Sequence, residues 1–239
     1  QKRSCCSISL IIPNVNLYHS KSLIQFIYYS TMAHDYQNEF VKYVKNSNED
    51  FFSNKKVLEV GSLNINGTVR DLFDNCDYTG IDVGEGKCVD VVCPGQDYDA
   101  PDETFDVVCS LECFEHNPYW AETFANMIRM VKSGGLVFMT CATTGRPEHG
   151  TTRTTPQDSP LTIKNMQWDY YLNLVEEDFR NIFEESFDEV FETHEFHSTV
   201  EDNKTPFVEN LIDKYRDQNF INGHPYKFAA DLYFWGIVK

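Results

Sequence analysis

Glu59, Gly61 and Asp82 have the types and spacing to hold a nucleoside. An acid at a strand's end accepts hydrogen bonds from ribose hydroxyls, and a glycine at the preceding turn lets the backbone approach the ligand without a Cβ in the way. Asp82 follows the glycine turn by about 20 residues, the common separation for that arrangement. Further on, His116 is the candidate for proton transfer, since an imidazole titrates near about pH 6.5; its other reading is a group that shapes the ligand pocket. Glu115 beside it would position the imidazole or the neighbouring backbone. Arg146, His149 and Arg153 concentrate positive charge in the long polar loop ATTGRPEHGTTRTTPQDSPLT. They suit an anionic acceptor, a carboxylate or phosphate, held by charge-assisted hydrogen bonds. The alternative is a solvated lid whose arginines pair with Glu148 and Asp158.

The elements that must position these residues read as alternating strands and helices. Val57, Leu58 and Val60 form a short apolar run suited to a strand buried on both faces. Asn66 is the expected N-cap of a helix carrying Val69, Leu72 and Phe73 on one face. A second strand ends at Asp82, a third covers Cys88 to Val92, and a fourth covers Phe105 to Ser110. Asn117 and Pro118 read as the N-cap and first residue of a helix with a stripe of Phe124, Met127, Ile128 and Val131, with Lys132 in its last turn and Gly134 ending it. The fifth strand is Leu136 to Cys141. Tyr36, Phe40, Tyr43 and Val44 recur at helical spacing before the first strand. After the loop come a helix over Glu176 to Phe187, a strand over Phe187 to Phe196, a short helix from Thr205-Pro206 and a closing strand, Ala230 to Lys239. His194 and His197 fall on opposite faces of their strand, and no metal site is expected there or elsewhere.

The glycine turn lacks the full G-x-G-x-x-G pattern, with Leu63 and Ile65 where further glycines would stand. That disfavours a diphosphate ligand, and with it a nicotinamide-dependent oxidoreductase. The chain instead resembles the class I S-adenosylmethionine-dependent methyltransferases, in their type 11-like branch. The family's acid-x-Gly-x-Gly opening is met by Glu59 and Gly61, though not by Leu63; the acid of the second strand is Asp82. PDETFDVVCSLECFEH resembles the family's fourth strand and its Leu-Glu-His, and MIRMVKSGGLVFMT its helix, Lys-Pro-Gly-Gly turn and fifth strand, with Ser133 for the proline. The resemblance implies an α/β fold: a Rossmann-like doubly wound sheet of about seven strands, mostly parallel with the last antiparallel. It implies S-adenosylmethionine as cofactor. Glu59, Gly61 and Ser62 would place the methionine end, Asp82 the ribose, and Gln96 or Asp97 the adenine. Ser110 and Leu111 would line the sulfonium side. The function it implies is methyl transfer to a small-molecule or sugar-like acceptor; the rival is a non-catalytic binding protein that keeps the fold.

Composition bounds the rest. The chain has 239 residues, 41% hydrophobic and 14% aromatic, enough for one sizeable core. Its net charge of −17 disfavours a broad nucleic-acid surface. No apolar run approaches the ~20 residues of a membrane span. Eight cysteines without a C-x-x-C pair read as reduced thiols of a cytoplasmic protein. Residues 1–31 hold Lys2, Arg3 and Lys21 and no acid, and Met32-Ala33 has the form of a natural start. They are expected to be a non-native or disordered extension before a single domain over 32–239, with insertions at about 142–172 and 198–228.

Overall fold

The computed structural model describes residues 36–184, 186–198, 205–215 and 231–239. The expected extension at 1–31 and most of the expected insertion at 198–228 lie outside the described residues.

Seven strands form one sheet: β1 (Lys56–Val60), β2 (Asp77–Asp82), β3 (Val91–Val92), β4 (Phe105–Leu111), β5 (Val131–Ala142), β6 (Phe191–Ser198) and β7 (Asp231–Val238). Their order is β3-β2-β1-β4-β5-β7-β6. Every pairing is parallel except those of β7, which runs antiparallel to both β5 and β6. The chain runs outward from β1 through β2 to β3, then crosses back to place β4 on the other side of β1. This reversal opens a crevice beyond the carboxyl ends of β1 and β4, where such sheets bind ligands. Val60 pairs with both Ile81 and Ser110, so the last residues of three strands end together at that crevice.

Strand alternation sends side chains to two cores. Leu58, Val60 and Val108 face one with Phe124 and Met127 of α2 (Trp120–Met130) and Phe179 of α3 (Glu176–Arg180). Val57, Val107 and Cys109 face the other, covered by helical residues 36–47 (α1) through Phe40, Val41 and Val44. Phe207, Val208 and Leu211 of α5 (Pro206–Tyr215) close that second face. The period-two argument for His194 and His197 holds: the first packs on Phe187, the second on Tyr43 and Phe207.

Several boundaries differ from the sequence reading, and local hydrogen bonding explains them. No α-helix follows Asn66; one 3-10 turn, Arg70–Leu72, stands there. The Gly67 amide donates to the Asn64 side chain at 2.8 Å, a polar turn that competes with helix nucleation. Helix α2 starts at Trp120, because the Asn117 side chain accepts from the Tyr119 amide at 2.8 Å and spends itself on a turn. It ends at Met130, so Lys132 lies beyond it, paired with Asp106 at 2.7 Å, and β5 begins earlier than expected. The third strand shortens to Val91–Val92. The expected helix over 176–187 is α3 alone, and residues Phe187–Val190 form α4 rather than strand. Ser186 and Glu189 box its start, the Ser186 amide donating to Glu189 at 2.9 Å. Among the described residues no helix is long and apolar enough to cross a membrane.

Candidate functional site

At the end of β1 the backbone turns through Gly61 at φ +80°, a conformation that favours glycine. A Cβ there would meet the Cys113 side chain at 2.7 Å, so the turn also needs the space. The Gly61 and Ser62 amides donate to the Ile81 carbonyl at 2.9 and 3.0 Å, folding the turn back on the end of β2. Asp82 completes the clasp: its carboxylate accepts from the Leu63 amide at 3.0 Å and the Val83 amide at 2.7 Å. Burial raises its pKa, and those two hydrogen bonds oppose the rise. Leu63 is not in the left-handed region, so the residue that replaces the motif's second glycine keeps an ordinary backbone and supplies a working amide.

Gly61 and Asp82 line one cleft with Cys93, Gly95, Cys113 and Asn117. Thr162 and Trp168 close it from the loop after β5, which is tied down where the Asn165 side-chain amide donates to the Val83 carbonyl at 3.0 Å. A Cβ on Gly95 would meet Thr123 at 2.6 Å and Val60 at 2.7 Å, so the floor of the cleft admits only glycine. Ser62 is buried, and its hydroxyl has no hydrogen-bond partner.

The other sequence candidates stand elsewhere. Gln96 and Asp97 occupy the 3-10 turn Gly95–Asp97 beside the cleft, Gln96 accepting from Thr123 at 3.3 Å. Ser110 donates its hydroxyl to the Val60 carbonyl at 2.9 Å and ties β4 to β1. Leu111 packs on the α1-side core. Glu59 points into the sheet's other face, where Tyr78 donates to it at 3.0 Å. Its burial raises its pKa to about 7, against the hydrogen bond from Tyr78 and the charge of Arg70. Asn117 and Thr162 carry no sequence signal for the cleft, whereas Cys113 lies in the segment after the fourth strand that the sequence places at the switch point; all three line the cleft.

A second polar cluster sits at the carboxyl ends of β4 and β5. Glu112 adopts φ +50°, held by its amide's 2.9 Å hydrogen bond to the Thr140 carbonyl. Glu115 is fully buried, and neither carboxylate oxygen has a partner; the same holds for the buried Nδ1 of His116. The His116 and His149 rings meet edge to face at 4.9 Å, with Tyr171 against both at 5.7 and 5.0 Å. Burial, then the His149 and Arg146 charges, push His116 down to about 3. Burial and the neighbouring Glu112 hold Glu115 well above the usual carboxylate range.

Arg146 does not stand free for an anion. It is ion-paired with the fully buried Asp231 and lies 3.8 Å from Glu112. Asp231 is raised to about 7 by burial, against the pull of Arg146. Arg153 pairs with Glu148 at 2.8 Å and Asp169 at 3.2 Å on the exposed loop. Of the three loop candidates, only His149 joins His116.

The sheet order, the glycine turn and the acid at the end of β2 are those of the class I S-adenosylmethionine-dependent methyltransferase fold. The chain belongs to the family whose model is described as "Methyltransferase domain", which matches residues 32–199. Among solved structures it is similar to phosphoethanolamine N-methyltransferase 2 of Haemonchus contortus, solved with phosphomonomethylethanolamine and S-adenosylhomocysteine. That match has 17% identity and a TM-score of 0.50, covering 84% of this chain and 53% of the other. The chain therefore spans about half the length of that protein. It is also similar to 1,6-didemethyltoxoflavin-N1-methyltransferase of Burkholderia thailandensis, at 12% identity and TM-score 0.49, covering 96% and 93% of the two chains. No curated protein matches the sequence.

Two outcomes follow from the electrostatics. Glu59 has a folded pKa above its unfolded value, so its contribution to stability is complete below about pH 4.5 and is lost as pH rises through about 7. Glu59→Gln should therefore match the wild type near pH 4.5 and exceed it by about 3 kcal/mol at pH 8 in urea denaturation; a difference that does not change with pH contradicts this. Arg146→Met strips the counter-charge from buried Asp231 and should cost about 3–5 kcal/mol. Asp231→Asn in the same chain should recover part of that loss; a single-variant loss below about 1 kcal/mol would show that the pair does not carry this load.

Proposed function

We propose that this protein transfers a methyl group from S-adenosylmethionine to a small-molecule or sugar-like acceptor. The observation that carries the reading is the cleft at the β1/β4 reversal: a glycine turn in left-handed conformation and, facing it, an acid clamped by two backbone amides. The residues present fit the cofactor. Asp82, which lines the cleft with Gly61, keeps lone pairs for the ribose hydroxyls, and the backbone of the Gly61 turn is the group for the methionine end. Gln96 and Asp97, on the turn that starts from cleft-lining Gly95, are the groups for the adenine edge.

When bound, S-adenosylmethionine would supply an electrophilic methyl on a sulfonium whose sulfur leaves as a neutral thioether. The protein's part is alignment and exclusion of water. Trp168 and Thr162 close the cleft, and Cys113 and Asn117 link it to the turn that carries Glu115 and His116. That turn is where we place the acceptor. Its buried, unpartnered polar atoms call for a polar or charged occupant, and so enclosed a site suits a small molecule. At about 3, His116 is a neutral imidazole in the physiological range, better suited to hold the acceptor by its lone pair than to keep a proton. The net charge of −17 opposes nucleic acid as the acceptor. The six cysteines among the described residues are all free, which supports a reducing, cytoplasmic setting.

Calorimetric titration tests this reading with S-adenosylmethionine, S-adenosylhomocysteine and NADH. Both sulfur compounds should bind and NADH should not; Asp82→Ala, which removes the ribose acceptor, should weaken binding at least about tenfold. NADH binding alone would point to a dehydrogenase, and silence towards all three to a fold kept for interaction.

A further inference from the structure

The geometry points to a divalent metal site that the sequence does not announce. Its ligands are Glu115, His116 and His149, and its occupant is a first-row transition ion with open positions for the acceptor's oxygens. Glu115 and His116 come from the turn after β4, and His149 from the loop after β5. One ligand atom of each lies within 4.8 Å of the others, near enough for a single ion to bind all three.

Three observations favour an ion over ordinary packing. First, both Glu115 oxygens and His116 Nδ1 are buried with no partner. Each orphaned group of this kind is costly, more so if charged, and few natural sites carry several. Second, the His149 ring is set for ligation. Its Nδ1 lies 3.1 Å from the Pro147 carbonyl, so the proton belongs there and Nε2 keeps its lone pair. A ligating histidine commonly donates its other N–H to a backbone carbonyl in this way. Third, acids outnumber bases: Glu112, Glu115 and Asp231 gather at the single base Arg146, a setting that a bound cation in place of protons would suit.

Two imidazoles and one carboxylate suit Mn, Fe, Co, Ni or Zn better than Mg or Ca, whose preferred ligands are all oxygen. Three protein ligands leave positions open for an acceptor's oxygens. Asn117, next in the chain after His116, lines the cleft, so the cluster stands on the turn that forms the cleft wall. The ion's use in holding acceptor oxygens rests on the methyl-transfer reading; its binding does not.

The test uses the full chain freed of metal by a chelator, titrated with MnCl2, ZnCl2 and MgCl2, and with S-adenosylhomocysteine on the same sample. One equivalent of Mn2+ or Zn2+ should bind, with Mg2+ at least about tenfold weaker. Bound Mn2+ should lose the spectrum of the free ion in electron paramagnetic resonance. His149→Ala, on a loop and only partly buried, should fold and weaken Mn2+ binding at least about tenfold; Glu115→Gln should do the same. Absence of one-to-one binding overturns the site, as does binding that both variants keep, which would lie on cysteines or surface acids. If S-adenosylhomocysteine binds while the metals do not, the metal site falls and the methyl-transfer reading stands. If the metals bind and S-adenosylhomocysteine does not, the reverse holds.

Discussion

The clasp between Asp82 and the Leu63 and Val83 amides is the interaction on which the site depends. A parallel sheet ends in amides and carbonyls that no neighbouring strand can pair, and at a ligand cleft those groups must be satisfied without filling the space. Asp82 satisfies two of them with one side chain. It fixes the Gly61 turn against β2, and the loop after β5 then anchors on the Val83 carbonyl through Asn165. Gly61 makes the clasp feasible, because no other residue combines φ +80° with the close approach of Cys113. Without the clasp, the turn, the floor at Gly95 and the covering Trp168 would have no common reference.

Beyond the clasp the structure trades stability for chemistry. A core of this size has no structural need for Glu112, Glu115, His116, Arg146 and Asp231 at one sheet end. Apolar residues of similar volume would pack there at lower cost. Glu112 sits in left-handed backbone, Glu115 is buried without a partner, and Asp231 is shielded by a single arginine. Such concentrations of strain and desolvated charge cluster at functional sites. The α1-side core is the contrast: Phe40, Val44, Phe52 and Phe138 pack at its centre, and its polar atoms are paired, as where Tyr78 donates to Glu59 and Trp235 to Glu195.

The fold was legible where the sequence speaks in long-period patterns. Buried parallel strands such as β1, β4 and β5 read as apolar runs, and the stripe of α2 survives an error at each end. What failed was local polar chemistry. Asn64 and Asn117 spend their side chains on turns, and Ser186 with Glu189 starts a helical turn where β-branched and aromatic residues read as strand. At the site, a glycine turn and a strand-end acid are legible in the sequence, and Gly61 and Asp82 do line one cleft. Ser110 and Leu111 were named from their position after the strand, yet one hydroxyl is spent on Val60 and the other side chain faces the opposite core. Arg146 reads as either an anion holder or a partner of nearby Glu148 or Asp158; its actual partner, Asp231, lies at the far end of the sequence. The meeting of His116 and His149 was not legible, since only the fold of the β5 loop brings them together.

The central claim is that a nucleoside lies across the ends of β1 and β2 with its ribose on Asp82. A crystal structure with S-adenosylhomocysteine tests it most directly. Both ribose hydroxyls should lie at about 3 Å from the Asp82 carboxylate, with the sulfur turned towards Cys113 and the β4 turn. A ribose held by other residues, or a nucleoside bound away from the Gly61 turn, would contradict it.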